Sequence, residues 1–562
     1  MKRQSLVPWL VCFKILAGCM GVFTVASIMK THSFPKPHQN LFLFGLIAWL
    51  GLCTPAQTCT NIVVGRGASA DGSVMVTYSV DGVGVGGLGT IAAREGPDPG
   101  VKDPVEADWK KPTYRVVGYM NEHQLAIAET TWGGRPGLKG KEGLSYPRLM
   151  FLALRRCMTA RAAIAEIDRL TRTYGYSSTG ETFCIADKNE AWIMDIIGRG
   201  PDEKGAVWVA ARVPDDSITV CANMGRITTF PTDDPDNWLF EKDTIRFAVQ
   251  KGFYDPKSGR PFSFRDAYHP GLDEYHVRAC AGRVWSVYRR AAPGRKFSAD
   301  FYRGVEGAED YPLFVRPDKK LSRHDVMQLM RDHFEGTPYD MTKGIDAGPF
   351  GSPYRYRGLK WEVDGKKFSW ERPISSQQAA CVWLSQSRNW LPDPVGGIFW
   401  FALDDAYTSC FTPFYCGVNS VPEFYGNGRL DHFSWDSAWW VCSLVANLAY
   451  DRWSRVIPDI LAVQRQTEAE FLEAMPGIEK EALRLAKSDP DALAAHLTRF
   501  SNSCGHTVFK RWKDLAGRIM VKHNDGWLKK PGEMPQGIGY PEPWRRRVVK
   551  ERGGEYVLQG EE

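Results

Sequence analysis

Cys59 is the residue whose type and position most favour covalent chemistry. It directly follows an apolar segment of the kind that is removed on export, so cleavage at that point makes it the first residue of the mature chain. A cysteine at a chain start carries a thiol nucleophile and an α-amino group whose pKa of about 7.7 to 8.0 lets it act as the base for that thiol. The sequence thus predicts a nucleophile that needs no histidine. On position alone, a leftover or disulfide-bonded cysteine beside a signal peptide is the alternative.

The other motifs that could bind a nucleotide or a metal ion lack the neighbouring residues that such a site requires. Gly84-x-Gly86-x-x-Gly89 matches the dinucleotide fingerprint as a string, but no phosphate-binding helix of a βαβ unit follows it, and we interpret it as a loop. The histidines include no HExxH pair, and Cys410 and Cys416 are too far apart for a CxxC pair, so no metal site is expected. Those two cysteines form a disulfide after export or stay reduced in the core.

The first 58 residues are predicted to be a leader with a signal peptide. Leu41–Cys53 is an uncharged apolar run of the right length, small residues follow it and two lysines precede it, which makes Met29 the natural start of translation. The alternative is a membrane anchor over Ile15–Met29, although that run is shorter than the roughly 20 residues of a spanning helix. Either way we expect export to a periplasm, the cell surface or the medium, with no stable membrane insertion after processing.

Composition and charge exclude several classes of protein. Of 562 residues, 43% are hydrophobic and 24% charged, which is typical of a globular chain and not of a disordered, collagen-like or polytopic membrane protein. Five of the 71 Lys and Arg lie in the leader, which has no Asp or Glu, so the rest of the chain has 66 basic residues against 65 acidic ones. With so little basic excess, nucleic acid is not an expected partner.

The elements that must position Cys59 follow from hydrophobic periodicity. Cys59–Val64 and Ser73–Val80 are β-branched runs joined by a turn that ends in Asp-Gly, which predicts a β-hairpin. Apolar residues recur at helical spacing over Tyr146–Tyr174. Strands mixed with helices predict an α+β layered domain. The further predicted strands are Tyr114–Gly118, Leu125–Thr131, Glu181–Ala186, Ala191–Ile197, Ala206–Arg212, Ser217–Ala222, 396–405 and 409–418.

The later part of the chain has a helical pattern. It covers Ser434–His523, with breaks expected at Pro458, Pro476 and Pro490 because proline lacks the backbone donor that a helix needs. The tryptophans of Trp435–Trp440 are expected in the core, the alternative being a sugar-stacking platform. The last twenty or so residues lack periodicity and are expected to form a loosely held tail.

Several segments resemble one family in order. The segment Cys59–Gly82 (CTNIVVGRGASADGSVMVTYSVDG) is similar to the opening of the cysteine dipeptidases of the dipeptidase A type, N-terminal-nucleophile hydrolases related to penicillin V acylase and bile salt hydrolase. The resemblance extends to about residue 470. The other similar segments are NEHQLAIAETTWGG at 121–134, GETFCIADKNEAWIMDIIGRG at 180–200, RVPDDSITVCANMGRI at 212–227, and later QSRNWLPDPVGGIFWFALDDAYTSCFTPFY and FSWDSAWWVCSLVANLAYDRW.

The resemblance implies a fold and a division of the chain. The fold is α+β, a four-layer αββα sandwich of the N-terminal-nucleophile hydrolase type with a mostly helical C-terminal extension. The leader at 1–58 is then followed by a hydrolase domain at 59–430, the helical extension at 431–530 and a tail at 531–562. The family's chemistry requires no metal and no organic cofactor.

The resemblance also implies roles for single residues. Cys59 is the nucleophile, Asp81 lies against it and orients its α-ammonium group, and Asn223 donates to the oxyanion of the tetrahedral intermediate. The relatives have Arg-Asn-x-Asp where this chain has Tyr78-Ser79-Val80-Asp81, so the arginine role is absent or is supplied elsewhere, with Arg283 as a candidate.

Two further positions are candidate substrate contacts. Thr131 occupies the place of the acylases' second oxyanion donor, an asparagine, which leaves that role in doubt. Glu129 lies two residues earlier on the same predicted strand, therefore on the same face, and is a candidate contact for the amino terminus of a substrate.

These observations predict an exported cysteine dipeptidase, a hydrolase that cleaves small peptides through an acyl-enzyme on Cys59. One alternative function is that of an amide acylase of the same superfamily, since the same nucleophile serves both reactions. The other is a non-catalytic surface binding protein that keeps the fold. The dipeptide preference and the oligomeric state, including a homo-oligomer, are left open by the sequence.

Overall fold

The computed structural model describes residues 59–81, 105, 113–356 and 358–558, which belong to one compact unit. The predicted leader and the motif at Gly84–Gly89 lie outside the described residues. The described chain has an α+β fold of antiparallel sheets and helices, as predicted.

The described residues form the following strands, in chain order. They are β1 (Asn61–Val64), β2 (Val74–Asp81), β3 (Val116–Val117), β4 (Met120–Asn121), β5 (Ala126–Gly133), β6 (Gly180–Ala186), β7 (Ala191–Gly198), β8 (Ala206–Arg212), β9 (Ile218–Cys221), β10 (Trp238–Phe240), β11 (Lys360–Val363), β12 (Lys366–Ser369), β13 (Ala379–Ser387), β14 (Ile398–Leu403), β15 (Thr412–Tyr415), β16 (Trp527–Leu528) and β17 (Gln536–Gly537).

The α-helices follow in the same order. They are α1 (Tyr146–Arg156), α2 (Ala160–Tyr174), α3 (Thr244–Gln250), α4 (Phe264–Tyr268), α5 (Glu274–Ala291), α6 (Arg323–Met330), α7 (Asp393–Gly396), α8 (Ala438–Tyr450), α9 (Trp453–Leu485), α10 (Pro490–His523) and α11 (Glu542–Tyr556).

Two large sheets carry the fold. One has six strands in the order β15-β14-β13-β2-β1-β9, and the other has seven in the order β10-β8-β7-β6-β5-β4-β3. The predicted hairpin is confirmed, since β1 and β2 pair antiparallel with Val63 opposite Val76. Every residue of β1 and β2 is buried, which explains their nearly continuous apolar sequence.

The sheets contact each other through their central strands, because β1 and β2 pack against β5 and β2 also packs against β6. Helices α1 and α2 cover the seven-stranded sheet over a core that includes Ile127, Leu149, Ile167 and Phe183. Helix α5 contacts β9, and α6 contacts β2 and β13. The residues next to Cys59 are therefore held between elements from distant parts of the chain.

The single predicted helix over Tyr146–Tyr174 is two helices, α1 and α2. The chain leaves the helical conformation at Cys157 and starts again after Thr159, whose side chain accepts a hydrogen bond from the backbone N–H of Ala162 at 3.3 Å. Threonine is a favoured residue at such a helix start.

The predicted breaks at Pro458 and Pro476 are wrong. Helix α9 runs through both prolines from Trp453 to Leu485. Both lie on its exposed side, where water can hydrate the carbonyl that loses its partner, and packing against α10 supports the helix along its length. The break at Pro490 is confirmed, because this residue lies in the first turn of α10.

The expectation that the tryptophans of Trp435–Trp440 lie in the core is confirmed in part. Trp439, in the first turn of α8, is partly buried and packs against the core. Trp435 is 50% exposed, because the helix starts after its cap Ser437 and leaves this residue in the preceding turn. Trp440 is partly buried. Trp440 Nε1 donates to the carbonyl of Arg429 at 2.8 Å.

Two remaining predictions concern the thiols and the tail. Cys410 and Cys416 are buried free thiols, so the second of the two alternatives applies. Within the predicted tail, Glu542–Tyr556 forms helix α11, which buries no residue. Within the described ranges, no helix combines the length and the apolar character that crossing a membrane requires.

Candidate active site

Cys59 stands two residues before strand β1, with its side chain buried between the two sheets. It is 2% exposed. The thiol lies 3.9 Å from the hydroxyl of Tyr78 on β2, in its own sheet, and 4.0 Å from Oε1 of Glu129 on β5, in the other sheet. Of the predicted substrate contacts, Glu129 is thus the one that reaches the thiol.

Asn223 and Arg283 hold the backbone of Cys59. The backbone N–H of Cys59 donates to Asn223 Oδ1 at 2.9 Å. Arg283 on α5 donates to the Cys59 carbonyl at 2.6 Å and to Asn223 Oδ1 at 3.0 Å. Because arginine only donates, the oxygen of this amide must face it, which fixes the orientation of Asn223. Arg283 is fully buried and acts on the main chain of residue 59.

Asn223 also connects Cys59 to strand β5. It follows β9 with a left-handed backbone (φ 57°), a conformation that asparagine tolerates better than most residues. Its Nδ2 donates to the carbonyl of Thr131 at 2.6 Å. The Thr131 hydroxyl donates to Glu129 Oε2 at 3.4 Å. Thr131 therefore positions two other members of the site.

Asp81 lies at the end of β2 and forms a buried ion pair with Arg372 at 2.6 Å. Arg372 was missed by the sequence analysis, because no motif surrounds it and 291 residues separate the partners. Burial, together with the negative charges of Glu129 and Asp81, raises the pKa of the Cys59 thiol well above its ordinary value. In the resting site the thiol thus keeps its proton.

Glu181 is a second carboxyl group of the site that the sequence analysis did not single out. Register places it opposite Thr131 and diagonal to Glu129, so all three side chains lie on the same face of the sheet. Burial and the charge of Glu129 raise the pKa of Glu181 well above its ordinary value, and burial also raises the pKa of Glu129. The alternation of side chains along paired strands is the signal by which Glu181 could have been identified.

Tyr78 links the carboxyl pair to the nucleophile. Its hydroxyl forms a short hydrogen bond with Glu129 Oε1, while the same hydroxyl lies near the Cys59 thiol. Tyr78 is 3% exposed and occupies the position where the relatives have arginine. A neutral hydroxyl and a carboxyl group thus face the sulfur.

The arrangement provides a buried thiol, a main-chain nitrogen held by an amide oxygen, and a carboxyl pair of which one member, Glu129, reaches the thiol. Such a set suits attack on a carbonyl whose neighbouring group is positively charged. Within the described ranges, no three or more His, Cys, Asp or Glu residues are placed to hold a metal ion.

Comparison with known proteins finds one matching family and several similar proteins. Residues 102–466, more than half of the chain, match the model of peptidase family C69. The chain is 25% identical over 492 residues to probable dipeptidase B of Lactococcus lactis subsp. lactis (strain IL1403), covering 83% of this chain and 95% of that protein. It is 24% identical over 520 residues to dipeptidase A of Lactobacillus helveticus, covering 82% and 96%. These matches confirm the resemblance seen in the motifs.

Proposed function

Because the chain belongs to peptidase family C69, we propose that it is an exported dipeptidase whose nucleophile is Cys59. The observation that carries the proposal is the setting of this residue: the thiol is buried beside Glu129, and Asn223 accepts from its backbone nitrogen. The names of the relatives support a dipeptide substrate.

The α-amino group of Cys59 serves as the base once the leader is removed. It takes the thiol proton, and the thiolate then attacks the carbonyl carbon of the peptide bond. The resulting α-ammonium group protonates the departing amine, which leaves an acyl-enzyme. The neutral amine then takes a proton from water, and that water cleaves the thioester. Asn223 Oδ1 is suited to orient this nitrogen throughout, since it already accepts from it at 2.9 Å.

Asn223 has a second proposed role, as donor to the oxyanion. Its Nδ2 carries two hydrogens, and one is donated to the Thr131 carbonyl. Because an oxyanion develops only during the reaction, a donor placed beside the nucleophile lowers the barrier more than it tightens substrate binding. Asp81, held by Arg372, supplies the negative charge that favours an ammonium group at the chain start.

The domain arrangement is proposed with the function. Helices α1 and α2 on one sheet and α5 and α6 on the other support a four-layer αββα sandwich of the N-terminal-nucleophile hydrolase type. We place this hydrolase domain at 59–430, with the helical extension at 431–530. Cleavage of the leader before Cys59 belongs to the same proposal, because the base exists only on a free amino terminus.

The carboxyl group of Glu129 favours a dipeptidase over an acylase. A dipeptide carries a free ammonium group next to its scissile carbonyl, whereas an acylated amine presents an uncharged group there. A buried carboxyl group 4.0 Å from the sulfur stabilises the first and gains nothing from the second.

The test uses the mature chain that starts at Cys59, verified by intact mass. We expect hydrolysis of a panel of dipeptides and none of their N-acetyl derivatives or of acylated amines. Cys59→Ala should abolish hydrolysis and keep the circular dichroism spectrum. Cys157→Ala, a matched change at another buried thiol, should leave the rate unchanged. Cleavage of acylated amines in place of dipeptides would establish the acylase, and ligand binding without any hydrolysis would establish the binding protein.

A further inference from the structure

The surroundings of the Cys59 thiol are acidic, which is unusual for a reactive cysteine. Cysteine nucleophiles are commonly activated by a nearby cation that stabilises the thiolate. Among the described side chains, the cation that contacts residue 59, Arg283, donates to its carbonyl oxygen and not to its sulfur. The charged and titratable groups around the thiol are the α-amino group of mature Cys59 itself and, by element, Tyr78 and Asp81 on β2, Tyr119 before β4, Glu129 on β5, Tyr146 on α1 and Arg283 on α5.

A negative charge beside a thiol opposes its ionisation. Glu129 Oε1 lies 4.0 Å from the Cys59 sulfur in a site without solvent screening. Burial and this charge hold the pKa of the thiol up in the free protein. A nucleophile of this kind stays protonated until something cancels the charge of the carboxyl pair.

One oxygen of the carboxyl pair lacks a hydrogen-bond donor. Glu181 Oε2 is buried, and no described residue donates a hydrogen bond to it. A buried carboxyl oxygen without a partner is costly and points to a ligand that supplies one. An ammonium group carries three donors and a positive charge, so it satisfies both members of the pair at once.

The position of the pair fits one part of a peptide. Attack brings the scissile carbonyl carbon to about 3 to 3.5 Å from the sulfur. The α-nitrogen of the first residue is two bonds from that carbon. With Glu129 4.0 Å from the sulfur, these distances allow this nitrogen to reach hydrogen-bond distance of the carboxyl oxygen. The scissile amide nitrogen is as near but carries no charge, so the carboxyl group favours the α-ammonium group.

We infer that the α-ammonium group of the substrate binds the Glu129–Glu181 pair and thereby activates the Cys59 thiol, so that the nucleophile ionises only when a peptide with a free amino terminus is bound. The inference rests on the proposed function and adds a role for the substrate in it. Binding cancels the charge that opposed ionisation, the S–H bond breaks, and the proton passes to the α-amino group of Cys59. In the free enzyme the thiol resists electrophiles.

The test measures the reactivity of the thiol and not the hydrolysis of peptides. The mature enzyme is alkylated with iodoacetamide from pH 5 to pH 10, and modification of Cys59 is quantified by peptide mass spectrometry. The measurement is repeated with L-alaninol, which has the ammonium group and no scissile carbonyl, at a concentration shown by calorimetry to saturate the site. N-acetyl-L-alaninol, which has no charge, is the matched control.

We expect L-alaninol to move the midpoint of alkylation to lower pH by about one unit or more, and the acetylated control to leave it in place. A ligand that only blocks access slows alkylation at every pH but does not move the midpoint. Absence of calorimetric binding, or an unchanged midpoint at saturation, would overturn the inference.

Two variants test which carboxyl group is responsible for the shift of the alkylation midpoint. In Glu129→Gln the midpoint should already be low without ligand, and L-alaninol should move it no further. Glu181→Gln should weaken L-alaninol binding about tenfold, the loss of one charge-assisted hydrogen bond. A Glu129→Gln enzyme that still responds to L-alaninol would refute the assignment. If Glu129→Gln does not fold, the wild-type measurements decide alone.

Hydrolysis of dipeptides, followed on the same preparation, separates this inference from the proposed function. A midpoint that moves in an enzyme inactive on dipeptides supports the ammonium site and contradicts the dipeptidase. An active enzyme with an unmoved midpoint supports the dipeptidase and contradicts the activation.

Discussion

Two buried pairs of carboxyl groups lie in different regions of this protein, and they serve different ends. Glu129 lies beside the Cys59 thiol and shares a sheet face with Glu181, whereas Asp404 and Asp405 follow strand β14. All four side chains are at most 2% exposed. In both pairs burial, together with the neighbouring carboxyl group, raises a pKa: that of Glu181 rises well above its ordinary value and that of Asp404 rises to about 8.

The partners of the two pairs differ. Asp405 Oδ1 accepts from the backbone N–H groups of Tyr407 and Thr408 at 2.8 and 2.9 Å, and its Oδ2 accepts from the Thr408 hydroxyl at 2.8 Å. Asp404 Oδ1 accepts from the backbone N–H of Asp405 at 2.7 Å. This pair closes the turn that follows β14.

The Glu129–Glu181 pair does not close a turn in this way. Glu129 bonds to the side chains of Tyr78 and Thr131, and in the described part of the chain nothing donates to Glu181 Oε2. The comparison teaches that burial alone does not identify a functional carboxyl group. Acceptors filled by backbone donors stabilise the fold, whereas an acceptor left open beside a nucleophile is available to a ligand.

The largest effect should come from the amide that holds the reactive residue. Asn223→Ala removes the acceptor for the Cys59 nitrogen and the proposed oxyanion donor. We expect kcat to fall by about 10² to 10³ while KM changes little, measured by steady-state kinetics on a dipeptide. Asn223→Gly, which tolerates the left-handed backbone at this position, is the control for strain. A kcat within a few-fold of wild type in both variants would remove Asn223 from the mechanism.

Blocking the amino terminus should have the next largest effect. A short uncleavable extension before Cys59 keeps the thiol and removes the free α-amine. We expect the rate of dipeptide hydrolysis to fall by about 10² or more, the contribution of an acid-base group. Wild-type rates with the extension would transfer the role of base to a side chain. His123, which contacts Asp393 at 3.3 Å, and the exposed His432 would then be tested.

Substitutions in the two carboxyl pairs should differ in their effect on the free energy of unfolding. Asp405→Ala leaves the backbone N–H groups of Tyr407 and Thr408 without acceptors, so we expect the free energy of unfolding to fall by about 3 kcal/mol. Glu181→Gln should change it by no more than about 1 kcal/mol, because it removes a buried carboxyl group with an open oxygen. Urea denaturation of both variants measures the difference. Equal losses would show that both pairs are structural.

A pH dependence of stability is expected at the turn. The pKa of Asp404 is raised to about 8 in the folded state and is about 3.9 in the unfolded chain. Between these values the unfolded state holds fewer protons, so the contribution of Asp404 to stability falls as pH rises from about 4 to 8. Asp404→Asn should therefore gain stability relative to wild type over that range, measured by denaturation at a series of pH values. Asparagine tolerates the left-handed backbone there (φ 63°). A difference independent of pH would contradict this assignment.

Local patterns predicted much of the framework. The strand runs from Cys59 to Ala222 fall within a few residues of β1 to β3 and β5 to β9, except that Tyr114–Gly118 contains a strand of only two residues; β4 was not predicted. They were found because side chains alternate along a strand and turn residues mark its ends. Pro458 and Pro476 were misjudged, since the support for α9 comes from α10, which no local pattern contains.

The candidate site was predicted in part. Cys59, Asn223 and Glu129 were chosen from the sequence, and the structure brings them together across 164 and 70 residues of chain. Arg372 and Glu181 were missed, because their partners are set by strand register and by the packing of one sheet on the other.

The sequence by itself determined the residue types, the alternation that makes each strand and the cysteine that follows a leader-like segment. These features depend on residues that are neighbours along the chain, so the sequence alone reveals them. Only the tertiary structure decided that a carboxyl group of one sheet lies against a thiol of the other, and that the hydroxyl of Tyr78 bridges the two. Electrostatic effects on a thiol depend on distances of a few ångströms in a medium that excludes water, and such distances exist only after the sheets have packed.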